Sequence, residues 1–183
     1  MKRILAVLVC LAVTAAAIAG EAAGVKMPDS ATIEGKTLKL NGIGLRKKML
    51  FKVYVAGLYL ETPSKDAATV ISSDQVKSIT LHIVRSLSGN QIGEAISDGF
   101  WRNSKAQMGA LNDRLQKLTG MFPAVVDGDE IVLTYVPGKG TAVSAKGQVK
   151  GVIEGKDFAD ALFAVWLGAN PVQDDLKAAL LGG

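Results

Sequence analysis

The apolar period of this chain changes at Ser88, and that change limits the fold more than any other feature. Before it, "TLKLN" (37–41) and "KSITLHIVR" (77–85) alternate apolar and polar residues. Between them, "FKVYVAGLYL" (51–60) is rich in β-branched and aromatic residues, so all three segments read as strands. From Ser88 onward, Ile92, Ala95, Ile96 and Phe100 recur at helical spacing, with Ser88 suited to cap the helix. A second helical pattern runs from about Ser104 to Leu118 through Met108, Leu111 and Leu115, and Gly120 stops it. "DEIVLTYV", "TAVSAKG" and "QVKGVIEG" then return to strands, with Pro137-Gly138-Lys139-Gly140 as a hairpin turn. An amphipathic helix over 156–168 ends at Gly168, and Pro171 opens a last short one, "VQDDLKAALL". An earlier short helix, "SKDAATVISS", has Ser64 as its expected cap. Strands and helices are partly segregated, which predicts α+β with a mainly antiparallel sheet.

The first residues, "MKRILAVLVCLAVTAAAIAG", read differently. Lys2 and Arg3 precede an apolar run, and Ala17-Ile18-Ala19 supplies a small-residue cleavage pattern. This predicts a secretory signal peptide over residues 1–19, with a cut as late as 24 as the alternative. The run is shorter than the ~20 residues that a membrane span needs. Removing 19 of the 183 residues leaves a chain of single-domain length. Cys10 is the only cysteine and leaves with the leader, so thiolate chemistry and disulfides are not expected afterwards. The formal charge is +4, and two of those charges, Lys2 and Arg3, lie in the leader. Dispersed basic residues at so mild a balance argue against nucleic acid as a partner. The expected location is the periplasm, or outside the cell, with membrane contact only through the leader before cleavage.

Few residues can carry chemistry. His82 is the only histidine and sits mid-strand, where a surface or packed role is the ordinary one. One histidine and no cysteine give zinc or haem no ligand set, so no metal and no cofactor are expected. No G-x-S-x-G elbow accompanies His82, and "NGIGL" (41–45) carries too few glycines for a phosphate loop and leads into a strand. "DGDE" (127–130) lacks the spaced oxygen ligands of a calcium loop. Glu94, Asp98 and Arg102 read as a solvated helix surface. There remains "GIGLRKKMLFKVYVAGLYLE" (42–61). Simple alternation puts Tyr54 on the same face as Lys52, a wet face. In one continuous strand, Arg46 and Tyr54 would stand roughly 26 Å apart at about 3.3 Å per residue. They can meet only if the chain reverses near Lys47 to Met49, and no glycine or proline marks a turn there. From the residues alone, Arg46 is either a surface charge or a ligand anchor.

The same stretch resembles the chalcone isomerase-like family, whose plant members carry a Gly-x-Gly-x-Arg strand and then a Gly-Val-Tyr-Leu-Glu-like run. Here these are Gly42, Gly44 and Arg46, then Gly57, Leu58, Tyr59, Leu60 and Glu61. The resemblance continues through "LSGNQIGEAISDGFW", "MFPAVVDGDEIVLTYVPGKGTAV" and "GVIEGKDFADALFAVWLG", and implies one domain over about 28–182. The implied fold is an open-faced β-sandwich, an antiparallel sheet with helices layered on one face. Enzymatic members close a chalcone to a flavanone, with the arginine gripping the phenolate. By that match Arg46 is the catalytic arginine and Tyr54 stands at the family's threonine. Ile92 and Ala95 replace the catalytic tyrosine and lysine, Gly99 the asparagine, and about Val165 the late hydroxyl residue. The resemblance therefore points to the non-catalytic, fatty-acid-binding-like branch. In it, Arg46 and Tyr54 would hold the carboxylate of a small amphipathic ligand, with Ile92, Ala95 and Gly99 lining the cavity. The alternatives are an intramolecular lyase or isomerase using Arg46, and a ligand-free partner-binding envelope module.

Overall fold

A computed structural model describes residues 18–183. The expected leader lies outside these residues except for its last two positions. The strands are β1 (Ile18–Ala22), β2 (Val25–Pro28), β3 (Ser30–Ile33), β4 (Lys36–Lys48), β5 (Phe51–Leu60), β6 (Lys77–Ile83), β7 (Glu130–Val136), β8 (Gly140–Ala145) and β9 (Gln148–Ile153). The helices are α1 (Ala67–Ser72), α2 (Gly89–Ser104), α3 (Met108–Thr119), α4 (Lys156–Leu167) and α5 (Asp174–Leu180). Strands β3 to β9 pair antiparallel in sequence order as one seven-stranded sheet, and β1–β2 is a separate hairpin. This is the α+β, open-faced arrangement that the sequence implies.

Alternation puts Ala56 and Leu58 of β5, Ile79 and Leu81 of β6, and Leu133 of β7 into one core with α2, α3, α4 and α5. The helix side brings Phe100, Leu111, Phe158 and Trp166, and the Phe100 and Phe158 rings lie 5.2 Å apart. Burying side chains of this size stabilises the fold by about 1.5–3 kcal/mol each. Behind the sheet, Leu38, Tyr59 and Val76 form a smaller cluster, and the Tyr59 hydroxyl donates to Pro28 O at 3.0 Å.

Three expected boundaries move. Asp66, not Ser64, caps α1, accepting from Thr69 N at 2.7 Å; its carboxylate reaches that N–H, whereas Ser64 Oγ instead accepts from Asp66 N. Helix α2 runs on through Ser104, and a 3₁₀ turn over Lys105–Gln107 separates it from α3. Helix α5 starts at Asp174, because Gln173 is held by β4. Ser88 does cap α2 with a full capping box: it accepts from Gln91 N, and Gln91 Oε1 accepts from Ser88 N.

Candidate functional site

The chain reverses between Lys48 and Phe51 without glycine or proline, through a two-residue turn. Met49 takes the left-handed conformation, φ 55°, that glycine would normally supply. Register therefore sets Arg46 directly opposite Tyr54. One further device decides which face Tyr54 occupies. The pairing shifts between Arg46 and Lys47, so that Arg46 opposes Tyr54 and Lys47 opposes Lys52, leaving Val53 unpaired as a bulge. Paired residues share a face and successive residues do not, so Lys52 is turned away from Tyr54. The wet face expected from simple alternation is thereby corrected, and Tyr54 packs on the helix-covered core.

Helix α5 is strapped along β4 from both ends. At its C-terminal end, Asn41 Nδ2 donates to Leu180 O at 2.8 Å and to Ser64 O at 3.0 Å. At its N-terminal end, Gln173 Oε1 accepts from Lys47 N at 2.8 Å and from an Arg46 guanidinium N–H at 3.2 Å, while its amide donates to Leu45 O. The same Arg46 nitrogen also donates to Lys47 O. Between these anchors α5 approaches so closely that only glycine fits beneath it. A Cβ on Gly42 would lie 2.1 Å from Ala179 O, and one on Gly44 would lie 2.8 Å from Leu176 Cδ1. The Gly42-x-Gly44-x-Arg46 spacing is thus a helix seat followed by the cation that the helix orients.

Tyr54 has a second partner. Trp166 Nε1 of α4 donates to its hydroxyl oxygen at 2.9 Å. Burial pushes the Tyr54 phenol up to about 12, against the Trp166 hydrogen bond and the Arg46 charge, which both pull it down. The phenol is therefore neutral at pH 7, and its own hydrogen is left to donate elsewhere.

Arg46 and Tyr54 stand on the wall of a cavity of about 750 Å³. Leu81 and Ile83 of β6, Ile131 of β7, Ile92 and Ile96 of α2, and Val165 of α4 give it apolar walls. Of the residues expected to line it, Ile92 is buried on its wall and Ala95 lies at its exposed side. Gly99 does not line it: a Cβ there would meet Val165 Cγ1 at 2.6 Å, so the space is filled by Val165. Gln173 and Trp166 escape sequence reasoning, since nothing in a lone glutamine or a helix tryptophan marks it as the partner of Arg46 or Tyr54. His82 is a strand-surface residue beside Glu130, with Nδ1 3.4 Å from the carboxylate.

A family model described as chalcone isomerase-like matches residues 19–182. The chain belongs to the chalcone isomerase-like family. Among solved structures, this chalcone isomerase-like chain is similar to a fatty-acid binding protein of Arabidopsis thaliana, at 20% identity and a TM-score of 0.65. That match covers 86% of this chain and 92% of the other. No curated protein sequence matches. Ile92, Ala95 and Val165 all border the cavity.

Proposed function

We propose that this protein binds a small amphipathic carboxylate, of the fatty-acid kind, with its head group between Arg46 and Tyr54 and its tail along the apolar walls. One observation carries the reading. Two hydrogen-bond donors, one permanently charged and one a neutral phenol, stand half-buried on the wall of a cavity of about 750 Å³, whose other charged lining residues, Lys48, Arg85, Glu94, Asp98 and Arg102, are exposed at its mouth. A guanidinium offers a planar fork to a carboxylate, and the phenol adds a third donor. The volume lies within the roughly 300–1,000 Å³ of small-molecule sites. Apolar residues at positions 92, 95 and 165 favour holding a ligand over cyclising a chalcone. The fold shared with a fatty-acid binding protein supports the reading by analogy alone.

The test is mass spectrometry of the natively purified protein and of Arg46→Ala. An acidic amphiphile should co-purify with the first and be depleted at least tenfold in the second. Equal loading of both removes the proposal.

The protein is also proposed to act after export, in the periplasm or outside the cell, on the strength of the leader-like residues 1–19. A cut near Ala19 would leave Gly20 to Ala22 paired with β2, whereas a cut at 24 would remove β1. Cell fractionation with N-terminal sequencing of the exported form tests both points.

A further inference from the structure

The β4–β5 turn breaks three rules of stable hairpins at once. Leu50 is 97% exposed and Met49 89% exposed, with Phe51 beside them also exposed. Met49 takes a positive φ, which glycine or asparagine would hold with less strain. Lys47 and Lys52 are directly paired across the strands, like charge against like. None of these choices serves the core, because no residue of this tip belongs to a buried cluster. Strain and exposure that the fold does not need point towards function.

The tip adjoins the cavity. Lys48, Met49 and Phe51 line its mouth, together with Arg85, Arg102 and the half-exposed Trp101. The Arg85 guanidinium lies 4.7 Å from the centre of the Phe51 ring. Two carboxylates, Glu94 and Asp98, also reach the rim, against Lys48, Arg85 and Arg102, while Lys47 and Lys52 add two more cations on the other face of the same hairpin. An exposed apolar tip ringed by lysines, with an aromatic residue nearby, matches the chemistry of an anionic bilayer surface. Its apolar side chains would enter the acyl boundary while the cations meet headgroup phosphates.

We infer that the β4–β5 tip docks the mouth of the cavity onto an anionic lipid bilayer. A tail could then pass between membrane and cavity without crossing bulk water. The docking stands on the tip alone, and only this transfer rests on the proposed function. It also extends the sequence reading, which allowed membrane contact through the leader only.

Two single substitutions leave the cavity lining and the Arg46 brace untouched, Leu50→Glu and Lys52→Glu. Each would be sedimented with vesicles of phosphatidylcholine alone and with vesicles containing phosphatidylglycerol. A fluorescent fatty acid, cis-parinaric acid, would be titrated in parallel without vesicles, and circular dichroism would check folding. The leaderless wild-type protein should sediment with the anionic vesicles only, and less so as salt is raised. Both variants should lose at least tenfold in partition while keeping wild-type parinaric acid affinity. No binding by the wild type, or equal binding by Leu50→Glu, overturns the docking. Vesicle binding without parinaric acid binding overturns the proposed function and leaves the docking standing.

Discussion

Arg46 and Tyr54 are directly paired across the β4–β5 ladder, and each is held by a side chain over a hundred positions later in the chain, Gln173 just before α5 and Trp166 within α4. Gln173 orients the guanidinium and Trp166 the phenol. The two donors are therefore positioned before any ligand arrives, which lowers the ordering cost of binding.

Removing the brace on Arg46 should weaken binding without removing the charge. Gln173→Ala loses the acceptor shared by Lys47 N and Arg46, and the donor to Leu45 O. A loss of about 0.5–1.5 kcal/mol in stability is expected, since these groups are exposed or half-buried and water can replace the lost partner. Parinaric acid affinity should fall several-fold. Titration and urea unfolding of the variant measure the two effects.

The helix seat should tolerate no side chain. In Gly42→Ala, the new Cβ would stand 2.1 Å from Ala179 O, a backbone atom that can move only with α5. Overpacking of this sort costs about 1–3 kcal/mol. Urea unfolding should register that loss, and hydrogen exchange should quicken in α5. A variant as stable as wild type would mean that α5 is not seated as described.

Stability should rise and then fall in alkali. Lys77 is fully buried, with Nζ donating to Val70 O, Ile71 O and Ser73 O at the end of α1. Burial pulls its ammonium down to about 8 from an ordinary 10.5, although Asp160 pushes it back up. Between those values the unfolded chain holds a proton that the folded chain has released, so stability climbs with pH. Burial pushes Tyr54 and Tyr59 up to about 12 from 10.0. Between those values the unfolded chain loses protons that the folded chain keeps, so stability drops. Urea midpoints measured across pH 8 to 12 should trace both limbs. Lys77→Met should abolish the climb and keep the fall.

Thr141 is fully buried on β8, and its hydroxyl has no hydrogen-bond partner among the described residues. Thr141→Val removes that unpaired group at nearly constant volume. It should be neutral or stabilising by about 1 kcal/mol, read from the thermal midpoint.

The sequence makes the layers of this fold legible because its periods are clean. Ile79, Leu81 and Ile83 alternate inward, and Ile92, Ile96 and Phe100 follow a helix face. The site is harder to read because irregularities build it. A turn at Met49 without glycine hides the reversal that joins Arg46 to Tyr54. The bulge at Val53 inverts the face that alternation assigns to Lys52. Gln173 and Trp166 act across long sequence separations, which no local pattern records. Gly99 misleads for a related reason, since its missing side chain admits Val165 rather than a ligand.

The central claim is that Arg46 grips a carboxylate rather than that a greasy cavity merely absorbs a tail. The direct measurement is the affinity of wild type and Arg46→Ala for a fatty acid and for the alcohol of equal chain length. A charge-assisted hydrogen bond is worth about 1.5–3 kcal/mol, so wild type should prefer the acid by roughly ten- to a hundredfold. The preference should vanish in Arg46→Ala. Equal affinity of the wild type for acid and alcohol, or a preference that survives the substitution, would contradict the account.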